Sequence, residues 1–117
     1  MVLNREAYNV RCKQMKKLSQ NIEINEHALA DLCRVSGIAR LSVFGSVLRQ
    51  DFNDKSDVDL LVVFRDEAKV DLYDICVIRD RLSVIFGRDV DLVEENALVN
   101  PFRRSEIMGN LEVLYAA

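Results

Sequence analysis

The run Val58-Asp59-Leu60-Leu61-Val62-Val63-Phe64 is the most apolar stretch of the chain. Its length and its β-branched residues predict a buried strand. Two acids sit at the start of that strand, Asp57 and Asp59. Side chains two apart on a strand share a face, with Cα atoms about 7 Å apart. Ionised carboxylates beside an apolar strand repel each other and lose solvation. A divalent cation offsets both costs, and Mg²⁺ favours one or two carboxylates together with substrate phosphates. On its own, an Asp-X-Asp pair also fits the solvent end of an ordinary strand.

The segments around this run give the fold class. Tyr8, Cys12, Met15 and Leu18 fall at helical spacing, so Arg5 to Leu18 predicts a basic amphipathic helix. Asn21 to Glu26 reads as a connection. Asn25 caps a second helix that runs to about Val35 on a stripe of Leu29, Leu32 and Cys33, with Gly37 ending it. Leu41, Val43 and Phe44 form a short strand that runs into Gly45-Ser46, and Val47 to Gln50 reads as a short helix before a polar loop, Asp51 to Ser56. Val70 to Phe86 predicts a long helix burying Leu72, Ile75, Cys76, Leu82 and Phe86, stopped by Gly87. Val90 to Val93 is a further strand. Asn100-Pro101 starts a helix that ends near Gly109, and Leu111 to Tyr115 closes the chain as a strand or an extended tail. Helices interleaved with few strands give an α/β (α+β) class, a small mixed sheet flanked by helices.

Composition narrows the class of protein. A chain of 117 residues suits one domain. Half of the residues are apolar and 30% are charged, an ordinary globular mix. No stretch approaches the roughly 18 apolar residues of a membrane span. The first 17 residues carry basic side chains but no apolar core of a secretory signal. Cys12, Cys33 and Cys76 are odd in number and widely spaced, which fits a reducing cytoplasm. A net charge of −3 gives no reason to expect general nucleic-acid binding. The charge is unevenly spread. Residues 1–20 hold five Lys/Arg against Glu6, whereas residues 51–95 hold 13 acids against six Lys/Arg. Such crowding costs self-repulsion unless a cation offsets it.

Two other features accompany the acid pair. Gly45-Ser46 lies where a strand turns toward a helix. Glycine lets backbone approach a ligand, and N–H groups at a helix start favour phosphate; a plain turn with a Ser cap fits equally. Asp91, inside Val90-Asp91-Leu92-Val93, is a third acid within an apolar strand. If the two strands are sheet neighbours, Asp91 joins Asp57 and Asp59, and three carboxylates can hold one or two Mg²⁺ ions and take a proton from an attacking hydroxyl. Asp89 has the same facing, but Asp91 lies deeper in the apolar run. An edge strand with Asp91 in solvent is the other possibility.

The spacing Gly45-Ser46, ten residues, then Asp57-Val58-Asp59 resembles the signature of the nucleotidyltransferase superfamily, with its DNA polymerase β-like fold. The fuller stretches Leu41 to Arg49, Ser56 to Val62 and Gly87 to Val93, with Asn100-Pro101-Phe102, resemble the minimal nucleotidyltransferases (MNT, MntA-like proteins). The resemblance covers about residues 27–115 and leaves 1–24 as an N-terminal helical extension within one domain, 1–117. It implies transfer of a nucleotidyl group, AMP from ATP or another nucleoside triphosphate, to a hydroxyl acceptor with release of pyrophosphate. In that scheme Gly45 and Ser46 hold the triphosphate, and Asp57 and Asp59 bind Mg²⁺. Asp91 completes the metal site and assists deprotonation of the acceptor. Arg49 matches the family's Gly-Ser-X-X-Arg arginine, where phosphate contact and a solvated helix position fit equally. Ser56 precedes the first aspartate, as a nucleotide contact or a turn cap. Gln50 and Leu48 depart from the small residues common in the family, which bears on loop packing and not on the metal ligands.

By the same resemblance, a chain this short receives its acceptor from outside. Small family members act with a HEPN-domain partner protein as the antitoxin of a toxin–antitoxin pair, so the expected acceptor is a hydroxyl of that partner. A non-catalytic protein that neutralises a partner by contact is one alternative. An antibiotic-type small-molecule nucleotidyltransferase, its acceptor pocket formed between two copies, is the other. His27, Arg103 and Arg104 read as solvated helix residues.

Overall fold

A computed structural model describes residues 15–19, 22–45 and 57–117. The described residues begin with a two-stranded antiparallel pair, β1 (Met15–Ser19) and β2 (Ile22–Asn25), with Lys16 opposite Ile24. Helix α1 (Glu26–Ser36) follows at once. The Asn25 side chain accepts from the Ala28 N–H at 3.1 Å. Gly37 closes the helix at φ 76°, a left-handed conformation that glycine adopts without strain. A Cβ at Gly37 would also stand 2.9 Å from the Ala68 Cβ, so both backbone and space require glycine there.

Among the described residues the main sheet has four strands. β3 (Ile38–Phe44), β4 (Val58–Phe64), β5 (Val90–Glu94) and β6 (Leu111–Ala116) stand in the order β5-β4-β3-β6. β4 and β5 are parallel; the other two pairs are antiparallel. Parallel neighbours need a crossover, and α2 (Leu72–Phe86) provides it. Asp71 and Asp74 form a reciprocal capping box at its start, with N···O distances of 2.8 and 3.1 Å. After β5 a short 3-10 turn (Glu95–Ala97) leads to α3 (Pro101–Gly109). Asn100 caps α3 by accepting from Phe102 and Arg103 N–H groups.

Strand alternation divides the side chains between two faces. Val58, Leu60 and Val62 of β4 point into a core completed by Leu29 and Cys33 of α1 and by Ile78, Leu82 and Phe86 of α2. Ile24 of β2 is fully buried in the same core. A bulge between Ile38 and Arg40 lets Ile38 join Leu41 and Val43 on that face. The opposite face carries a smaller cluster of Phe44, Leu61 and Ile107, with α3 lying over it.

The mixed sheet flanked by helices is the architecture the sequence predicts. The N-terminal segment differs. A helix is expected through Leu18, yet Met15–Ser19 is a strand, and the expected connection after it holds β2. The period of Ile22-Glu23-Ile24-Asn25 is two, not 3.6, and pairing with β1 satisfies its backbone. Residues 5–14 of the expected helix lie outside the described residues, as do the expected helix at 47–50 and loop at 51–56. Helix α2 starts two residues late, because Asp71 caps it, and Leu72 in its first turn is exposed instead of buried. Ile75 and Cys76 are half-buried.

Candidate active site

Phe44 ends β3 opposite Asp59 near the start of β4, and the next residue, Gly45, turns at φ 79°. A Cβ on Gly45 would overlap the Asp59 carboxylate. Glycine at this position therefore does two things: it permits the left-handed turn, and it leaves room for an acid against the backbone.

β4 and β5 begin side by side. The Val58 N–H donates to the Asp89 carbonyl at 3.0 Å, and the register then pairs Val58 with Val90 and Asp59 with Asp91. Val58, Leu60 and Val90 are buried in the α1/α2 core, so Asp59 and Asp91 project from the other face. Neighbouring strands lie about 4.8 Å apart. Asp59 is half-buried and Asp91 exposed. Asp57 stands exposed just before β4. Of the residues singled out in the sequence, the fold therefore brings Gly45, Asp59 and Asp91 to one corner, with Asp57 at its edge. Among the described residues no group of three or more acids, histidines or cysteines is gathered closely enough to hold a metal ion by itself. Ser46, Arg49 and Ser56 lie outside the described residues.

A pocket of about 560 Å³ opens on this corner. Phe44, Gly45 and Asp59 form its sheet side; Arg103, Glu106 and Asn110 come from α3 and the residue that ends it. The volume falls within the ~300–1,000 Å³ of ordinary small-molecule sites. Sequence reasoning missed the α3 wall by reading Arg103 as solvated. Its signal was present in the spacing Arg103, Ile107, Asn110, one helical stripe anchored by the buried Ile107. Arg104 points elsewhere and donates to the Glu95 carbonyl at 3.3 Å. Arg40 crosses to Glu95 at 2.9 Å and so ties β3 to the turn after β5.

Two carboxylates on adjacent strands, one of them pressed against a glycine turn, fit a Mg²⁺ ion that takes its remaining ligands from phosphate and water. Among the described residues the donors at the corner are all oxygen, as a hard cation prefers.

The fold and this corner define a nucleotide-transferring domain, and the chain belongs to the nucleotidyltransferase domain family, whose model matches residues 26–114. It is similar to the Methanocaldococcus jannaschii protein named "Putative protein adenylyltransferase MJ0128", 30% identical over 99 residues that span 85% of this chain and 96% of that protein. A solved structure assigned to a minimal nucleotidyltransferase is 33% identical, with a TM-score of 0.61 over 74% of this chain and 86% of that one. The solved structure of a tri-AMPylated Shewanella oneidensis HEPN toxin in complex with MNT antitoxin shares the fold, at a TM-score of 0.55 and 19% identity, over 79% of this chain and 70% of that one. The protein is a nucleotidyltransferase of this minimal kind.

Proposed function

We propose that this nucleotidyltransferase moves AMP from ATP, with Mg²⁺, to a hydroxyl of a HEPN-domain partner protein, and that it acts in the cytoplasm as the antitoxin of a toxin–antitoxin pair. The observation that carries the reading is the in-register pair Asp59 and Asp91 beside a glycine turn that only just clears Asp59. The similarity to a protein adenylyltransferase and the shared fold with an MNT antitoxin support the acceptor class.

The residues divide the work as follows. Asp59 and Asp91, with Asp57 at their edge, would hold the cation together with phosphate oxygens. When bound, Mg²⁺ neutralises phosphate charge and orients the triphosphate. The Gly45 turn and the Ser46 hydroxyl hold phosphate oxygens, with Arg49 and Ser56 at the same nucleotide. The Asp91 carboxylate takes the proton of the acceptor hydroxyl. The acceptor oxygen then bonds to the α-phosphorus, the bond between that phosphorus and the α–β bridging oxygen breaks, and pyrophosphate leaves. Positioning and charge stabilisation do most of such work, because the transferring phosphoryl group needs little covalent help.

The test uses the full chain, α-labelled ATP, Mg²⁺ and a purified HEPN-domain protein. Label on the partner, lost on removing the metal with EDTA, is the expected result. Neutralisation of the partner without label would establish the contact-only alternative, and label on a small hydroxylated antibiotic instead would establish the small-molecule one.

A further inference from the structure

Among its described lining residues the pocket carries more acids than bases. Asp59 and Glu106 line it, Asp91 adjoins it, and Arg103 is the one cation among its described lining residues. A nucleoside triphosphate brings about four more negative charges. Bound Mg²⁺ offsets two of them, so further positive charge is needed close to the phosphates.

Arg103 is placed to supply that charge. Its backbone N–H is fixed by the Asn100 cap at 3.3 Å, in the first turn of α3. Ile107, one turn on, is buried against the sheet and sets the helix rotation. The guanidinium, unlike those of Arg40 and Arg104, has no hydrogen-bond or ion-pair partner among the described residues. Guanidinium binds phosphate through two parallel N–H donors, which a lysine ammonium cannot reproduce.

We propose that Arg103 is a phosphate-binding residue of the site, contacting the triphosphate from α3, across the pocket from Gly45 and Asp59. The inference rests on the nucleotidyltransferase reading. It adds a wall to the site that the Gly-Ser and Asp-X-Asp stretches do not contain. Arg103 also holds the departing pyrophosphate, where charge accumulates as the α–β bond breaks.

The experiment measures ATP binding and pyrophosphate competition with the full chain and Mg²⁺. The wild type is compared with Arg103→Ala, Arg103→Lys and the neighbouring control Arg104→Ala. Arg103→Ala is expected to weaken ATP and pyrophosphate about tenfold or more, the scale of a lost charged hydrogen bond. Adenosine affinity stays the same, Arg103→Lys recovers part of the loss, and Arg104→Ala stays within about twofold of wild type. Unchanged thermal melting of the Ala variant excludes a fold defect. Equal ATP affinity in wild type and Arg103→Ala would overturn the inference and leave the nucleotidyltransferase reading standing. A wild type that binds no ATP would overturn the reading itself.

Discussion

The two faces of the four-stranded sheet are built to opposite ends. One face is sealed by α1 and α2 over side chains such as Leu41, Leu60 and Leu82, each fully buried. The other carries a small apolar cluster at Phe44, Leu61 and Ile107 and leaves an acid-lined pocket at one end. The same strand serves both: Val58, Leu60 and Val62 face the core, while Asp59 faces the pocket. Stability is concentrated where burial is complete. The acids stand where burial stops, since carboxylates keep their charge only near solvent or a cation.

That division can be broken from either side. Asp57→Asn combined with Asp59→Asn should lower transfer by about 10³-fold or more while leaving the melting temperature close to wild type; full transfer by the double variant would remove these residues from the site. On the sealed face, Leu60→Ala should cost about 2–5 kcal/mol of stability in denaturant unfolding, while the protein that remains folded transfers at the normal rate. Gly45→Ala joins the two faces: it forces the left-handed turn on a residue with a Cβ and displaces Asp59. A loss of about 1–2 kcal/mol and a fall in transfer of about 10²-fold are expected together. Cutting the Arg40–Glu95 tie with Glu95→Ala should cost only about 1 kcal/mol, because Arg40 is partly solvated.

Thiol chemistry gives a finer test of the same contrast. Burial pushes the Cys33 thiol from the ordinary 9.0 up to about 12, whereas Cys76 is only half-buried. At pH 8 Cys33 should therefore resist alkylation until the protein unfolds, with Cys76 modified first. Because the folded value is raised, the neutral thiol favours the fold. That contribution is fully present below pH 9.0 and fades as pH climbs through the window from 9.0 to about 12. Unfolding measured from pH 8 to pH 11 should show the decline, and Cys33→Ser should alter its slope.

Much of this architecture was legible because its determinants are local. Asn25 and Gly37 bracket α1, Gly87 stops α2, and Asn100-Pro101 opens α3; each is a cap whose partner lies within a few residues, whereas the Asp71 cap of α2 went unread and the helix was expected two residues early. The strand Val58–Phe64 declared itself by composition alone. What failed was non-local. The β1–β2 ladder depends on pairing between two short segments, and Met15 and Leu18 also satisfy a helical spacing. The stripe Arg103, Ile107, Asn110 could be read in the sequence, but its place at the pocket follows from which side of α3 packs on the sheet. Asp59 and Asp91 fell between these cases. Alternation gave each its facing, but their meeting required the parallel register that α2 enforces.

Helix α3 has one further property. It follows β5 after the 3-10 turn and ends just before β6, and those strands are the two outer margins of the sheet. The helix that walls the pocket is thus joined along the chain to both rims, so a shift of either outer strand would reach the gap between Arg103 and Asp59. Detaching β6 would release one end of that helix, and a binding defect would then arise from a strand that lines no part of the pocket.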